Sequence, residues 1–289
     1  MATVSSLNNY SFAFNGFVFG GSGSPYQITS VDGLEGLPSL RVQDADRGYQ
    51  DGAFSGRDFL NGRTIIMTML ITSGNGNTAF QNFNLLQQNL QPQQSGTTPL
   101  QFQLSPAGGL QFINARVRAA KSVVDPDYTY GFIKAQYEFF CPDPRYYDNT
   151  TQSASMTYTA PLGRTYPRVY PLTYGGGSYN TETAIVINSG WTTTYPLISI
   201  YGPATNPVVG NLTTNAALNF NYTMAQSDVI SIDLLNRTVL LNGIPARNLL
   251  LGSSLWFAAI PGNNQFYFTG TGTTYGITHA TVQWNNAYA

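Results

Sequence analysis

The chain has 289 residues, 42% hydrophobic and only 9% charged, with a formal net charge of −1. With 19 Tyr and 17 Phe available for a core, this mixture excludes intrinsic disorder, which needs low hydrophobicity and high net charge. No basic stripe runs along the sequence and only Lys121 and Lys134 are Lys, so a phosphate-backbone binder lacks its electrostatic footprint.

Other classes fall away on similar grounds. Cys141 is the only cysteine, so no intrachain disulfide is expected. The segment Met1 to Tyr10 lacks the basic start and apolar run of a signal peptide. The longest apolar stretches, Ile65-Ile66-Met67 and Leu249-Leu250-Leu251, are far too short to span a bilayer. Synthesis and folding in a reducing cytoplasm, without membrane insertion, is the expectation. So little surface charge also favours association with neighbours.

At roughly 150 residues per domain, the length predicts about two domains. Gly20-Gly21-Ser22-Gly23 precedes neither a helix nor a Lys and reads as a turn, not a phosphate cradle. Arg63 to Thr72 is an apolar, β-branched run of strand length. From Thr78 to Leu90, Ala79, Phe80, Phe83, Leu86 and Leu90 fall on one helical face. Asn77 or Thr78 is the expected cap, Gln81 completes a capping box, and Pro92 follows the helix. Gln91 to Leu110 reads as a long polar hairpin. Gln111 to Ala119 and Phe132 to Phe140 read as strands. In the latter, Ile133, Ala135, Tyr137 and Phe139 alternate with Lys134, Gln136 and Glu138.

Cys141-Pro142-Asp143-Pro144-Arg145 then removes two backbone donors, so the chain is expected to leave its sheet there. This sets the expected boundary: an N-terminal β domain with one short helix over 1–148, and a C-terminal antiparallel β-sandwich over 149–289. Asn149 to Tyr158 reads as a Ser/Thr-rich connection and Gly175 to Ser178 as a loop. Beyond it, short strands recur at sandwich spacing. Val229 to Asn242 reads as a hairpin turning at Leu235-Asn236 and closed by Asn242-Gly243. Gln265 to Thr269 and Ile277 to Trp284 supply later strands.

Little in the sequence points to chemistry. His279 is the only histidine and falls in a strand, and a buried thiol is the expected state of Cys141 at a strand end. No G-x-S-x-G elbow is present. One His with one Cys excludes zinc of the usual kind. Asp44, Asp46, Asp51, Asp58, Asp125 and Asp127 could pair in a glycosidase but sit in turn-like sequence. No catalytic residue, cofactor or metal is expected. Trp191, Trp256 and Trp284 are core candidates; exposed, Trp191 or Trp256 could stack on sugar.

Three stretches carry a family resemblance. Val31 to Ile71 holds Gly33, Gly36, Pro38, Arg41, Asp51, Gly52, Gly56, Asp58, Gly62 and Arg63. Tyr137 to Asp148 holds Pro142, Asp143, Pro144 and Arg145. The third set runs through Gly202, Asn206, Pro207, Asn211, Asp228, Asp233, Arg237, Val239, Asn242, Gly243, Trp256, Pro261, Gly262 and Asn264. In this order the chain resembles the distal tail proteins of siphophages, above all minor tail proteins of actinobacteriophages.

The resemblance implies a structural virion protein at the distal end of the tail. Six copies would form a ring through the N-terminal domain, with a bore that passes DNA without gripping it. The implied partners are the tail tube protein, the central tail-tip hub or fibre protein, the tape measure and receptor-binding proteins. The C-terminal sandwich would be peripheral and galectin-like or carbohydrate-module-like, which does not by itself imply sugar binding. The alternatives are a carbohydrate-binding adhesin, which predicts a monomer with an exposed aromatic row, and a cell-wall enzyme, which predicts two carboxylates facing one cleft.

Overall fold

A computed structural model describes residues 3–123, 125–158 and 181–289. The expected loop at Gly175 to Ser178 lies outside them. The described residues are mainly β, with one α-helix. They form two compact units, Met1–Asn149 (with Ala289) and Thr150–Tyr288.

The N-terminal unit opens with β1 (Ser11–Phe14), β2 (Phe17–Gly20) and β3 (Tyr26–Asp32). Four two-residue strands follow: β4 (Leu40–Arg41), β5 (Ala45–Asp46), β6 (Ala53–Phe54) and β7 (Phe59–Leu60). Then come β8 (Arg63–Thr72), the helix α1 (Gly76–Asn89), β9 (Thr98–Gln103), β10 (Gln111–Val123), β11 (Phe132–Cys141) and β12 (Tyr146–Asp148). The main sheet runs β2-β1-β9-β10-β11-β8-β3, with β12 against β10.

Alternation decides which side chains enter the core. Along β8, Ile65, Met67, Met69 and Ile71 are buried, and along β11 Ile133, Ala135, Tyr137 and Phe139. The helix lays Ala79, Phe83 and Leu86 on the same core, but Phe80 stays exposed. Phe12 stacks between Phe19 and Phe102, each centroid 6.1 Å away. Each fully buried ring of this kind contributes about 1.5–3 kcal/mol.

Three local expectations are corrected. The helix starts upstream of Thr78: Asn75 is its cap, its carboxamide oxygen accepting from Thr78 N at 2.9 Å. Gln91 to Leu110 is not a free hairpin, because it contains β9, whose Leu100 and Phe102 are core residues. At the Pro142-Pro144 segment the chain leaves the β11 ladder but rejoins β10, pairing Tyr147 with Phe112 and Asp148 with Gln111.

The C-terminal unit contains β13 (Gln152–Thr157), β14 (Thr181–Asn188), β15 (Leu197–Tyr201), β16 (Ala204–Asn211), β17 (Ala216–Asn219), β18 (Thr223–Met224), β19 (Val229–Asp233), β20 (Thr238–Leu241), β21 (Ile244–Pro245), β22 (Gly262–Thr271) and β23 (His279–Trp284). Thus Asn149 to Tyr158 is not a plain connection: six of its residues pair with β23. One sheet runs β13-β23-β15-β19-β20-β21 and the other β14-β22-β16-β17, with β18 beside β16. Val186, Val209, Phe266 and Phe268 of one meet Ile198, Ile200, Ile230, Ile232 and Val282 of the other in a single core, as two packed antiparallel sheets do.

Candidate functional site

The motif residues of the C-terminal unit act on their own fold. Asn211 and Asn264 are fully buried. Asn264 donates to the carbonyls of Ile260 at 2.7 Å and Gly262 at 3.1 Å, and its side-chain oxygen accepts from Ile260 N at 3.0 Å. Asn211 donates to that same oxygen at 3.1 Å and to Ala258 O at 3.0 Å. The Pro261-Gly262 turn, with Gly262 at φ +91°, is therefore held from beneath by two amides. Asn206, at φ +49°, and Pro207 occupy the register shift of β16 against β22.

The hairpin of β19 and β20 is built the same way. Asp233 accepts from the backbone N–H of Leu235 at 2.9 Å and Asn236 at 3.0 Å, and from the Asn236 side chain at 2.6 Å. Asn242 and Gly243 both have positive φ and turn β20 into β21, a requirement that Asn-Gly meets. Asp228 accepts from Asn242 Nδ2 at 2.9 Å and Ala225 N at 2.8 Å. Those bonds, the Asn242 side chain first, hold its carboxyl below the usual aspartate range.

In the N-terminal unit, Asp143 orders the two-proline motif. It accepts from Arg145 Nη1 at 2.9 Å and from the Tyr147 hydroxyl at 2.6 Å. Pro142 and Pro144 flank it, and Tyr147 stacks on Phe112 at 5.6 Å. Arg63 is buried and donates to the carbonyls of Leu34 and Gly33; burial lowers its pKa. Gly62 packs on Phe140, whose ring a Cβ would meet at 2.9 Å.

Arg41, Asp51, Gly52, Gly56 and Asp58 lie on an arm. β4 pairs with β7 and β5 with β6, and residues 39–58 are all exposed. Gly52 sits in the tip turn at φ +96°. Gly56 lets the two sides close, since a Cβ there would lie 2.0 Å from Gln43 O, and its N–H donates to Asp44 at 2.7 Å. Arg47 lies over Phe54 and Arg41 over Phe59. Asp51 and Asp58 are exposed, and the fold of the unit gives neither a role. Phe54 is 62% exposed, and Leu37, Val42 and Tyr49 are exposed with it.

The chemically suggestive residues are accounted for structurally. Cys141 is buried and burial pushes its thiol up to about 12. The His279 ring stacks on Tyr201 at 4.3 Å, with Nδ1 2.7 Å from Ile277 O. Asp125 caps a 3-10 turn through Asp127 N. Trp256 is half-buried against the core under Arg247, and the Trp284 indole donates to Ile187 O at 2.8 Å. Trp191 is 64% exposed, edge-on to Tyr288. Two surface features were not read from the sequence. Arg116 and Arg118 bracket Phe140 on a β10–β11 face that also carries Lys121 and Lys134. A groove of about 320 Å³ crosses β23, β15, β19 and β20.

Residues 189–288 match the family described as siphovirus-type tail component, C-terminal domain. That match lies wholly within the C-terminal unit. The fold extends the likeness over the chain. The structure is similar to that of the Dit protein of phage SPP1, with a TM-score of 0.65 and 16% identity over 96% of this chain and 99% of that one. A chain of the phage p2 baseplate in its activated conformation with Sr is also similar, with a TM-score of 0.50 and 11% identity over 96% and 98%. No curated protein sequence matches. The siphovirus tail family and these folds bear out the resemblance to siphophage distal tail proteins read from the ordered motifs.

Proposed function

We propose that this siphovirus tail protein is a distal tail protein whose copies close into a six-membered ring through the N-terminal unit. The ring sits between the tail tube and the central tip protein, in contact with the tape measure and receptor-binding proteins, and leaves an open bore for DNA. It is a structural part and not an enzyme. The solved SPP1 protein is described as the paradigm of a hub adsorption apparatus in phages that infect Gram-positive bacteria, and the proposal extends that role to this chain.

The observation that carries the reading is the arm. It exposes Leu37, Val42, Tyr49 and Phe54, pairs only strand to strand within itself, and holds motif residues that its own unit does not use. A cyclic assembly supplies the missing partner, because a heterologous contact repeated by a fixed rotation closes a ring. A Cys–His pair for nucleophilic catalysis is also committed elsewhere: Cys141 is buried and His279 is stacked on Tyr201.

Light scattering and negative-stain imaging of the purified protein test this. A particle of six 31.5 kDa chains with an open centre is the expected result. A chain that stays monomeric alone and when mixed with the tail tube and tip proteins overturns it.

A further inference from the structure

We infer that the C-terminal unit binds a neutral saccharide in the groove on the outer face of its six-stranded sheet; this goes beyond the ring and does not depend on it. The groove holds about 320 Å³ and is lined by Leu197, Ser199, Ser231, Asp233, Thr238, Leu240 and Gln283, with core residues Ile198 and Ile232 at its floor. That volume lies at the small end of ligand sites. It suits one or two sugar rings.

The register shows how the surface is made. Ser199 pairs with Ser231 on one side and with Thr281 on the other, and Ser231 pairs with Leu240. The next row sets Gln283 beside Leu197, Leu197 beside Asp233, and Asp233 beside Thr238. Side chains two apart on a strand share a face. Four strands thus place hydroxyls and one carboxamide alongside two leucines.

Three properties narrow the occupant. The groove lies in mid-sheet, and each of its four strands is paired on both sides, so an extended peptide cannot add itself through backbone bonds. Its one ionised group, Asp233, has both oxygens engaged by amides of the turn after β19, and the negative charge it keeps turns anions away. Ser199, Ser231 and Thr238 each offer a donor and acceptors, and Gln283 offers both. Leu197, 51% exposed, and Leu240 offer apolar surface alongside them. A molecule with hydroxyls around its rim and C–H groups on its faces satisfies both sets, and a neutral pyranose is such a molecule. This places the sugar site away from Trp191 and Trp256.

Saturation-transfer NMR on the full chain provides the test. The neutral probes are N,N′-diacetylchitobiose, lactose, cellobiose, maltose and rhamnose, with sialyllactose and glucuronate as charged controls. At least one neutral probe should bind and the charged ones should not. Ser231→Tyr, which fills the groove, should abolish the signal. Thr238→Val and Gln283→Leu should each weaken binding by up to about tenfold, the effect of losing one hydrogen bond. Trp191→Ala should leave it unchanged. If Ser231→Tyr unfolds the chain by circular dichroism, the two exposed, near-isosteric variants decide. The inference is overturned if no neutral probe binds, if binding ignores the groove variants, or if it is lost in Trp191→Ala. None of these outcomes bears on whether a ring forms.

Discussion

The motif residues of the C-terminal unit and those of the N-terminal arm behave differently. In the C-terminal unit Asn211, Asn264, Asp228, Asp233 and Asn242 all find hydrogen-bond partners inside their own sandwich. On the N-terminal arm the glycines shape a hairpin, while Asp51, Asp58, Val42 and Tyr49 stand exposed and the unit's own fold gives them no role. A residue pattern retained within one fold records its folding; one that the fold leaves idle points to another molecule. The first kind should show itself in stability and the second in association.

The largest effect should come from Asn264→Ala. It strands the backbone groups of Ile260 and Gly262 and the amide of Asn211. Ile260 and Gly262 are exposed and can turn to water, so the cost is chiefly that of the buried Asn211 amide, about 1–3 kcal/mol, read as a lower urea midpoint for the C-terminal unit. Phe54→Asp should do the reverse, splitting the assembly by light scattering while the separated protomer keeps its folded circular-dichroism spectrum, since exposed substitutions stay within about 0.5 kcal/mol. If Phe54→Asp lost that spectrum, the arm would belong to the fold after all.

Smaller effects sharpen the contrast. Asp228 is more acidic folded than unfolded. Its contribution is therefore complete above the unfolded value of about 4 and is lost as the pH falls through the lower folded value. Asp228→Ala should cost about 1 kcal/mol at pH 7 and less in acid below the unfolded value, measured by denaturant titration at both. With its pKa raised to about 12, Cys141 stays a thiol at pH 8. Iodoacetamide reacts with the thiolate, so labelling should wait for unfolding, as mass spectrometry would report. Asp58→Ala should leave the melting temperature unchanged.

Much of the fold was legible. Strands such as β8 and β11 carry their alternation openly, because one face of each is buried. The helix was legible from its face, but its cap was not. The Thr78–Gln81 pair mimics a capping box, while Gly76 beside Asn75 reads as a turn and hides the true start. β13 escaped because its residues are small and polar, with Met156 its one fully buried side chain; only pairing with β23 makes it a strand. Arm and groove were illegible for one reason. Their meaning depends on which neighbours are absent or brought together, and local pattern does not encode that.

One pairing reaches past stability and binding. Gln152 faces Trp284 on the β13–β23 ladder, so the chain comes into the C-terminal unit and completes its last long strand on the same rung. A module whose two ends lie side by side can be exchanged whole, since any replacement need only bridge the same short gap. The sandwich is in this sense a cassette, whose replacement would leave the strands of the N-terminal unit untouched.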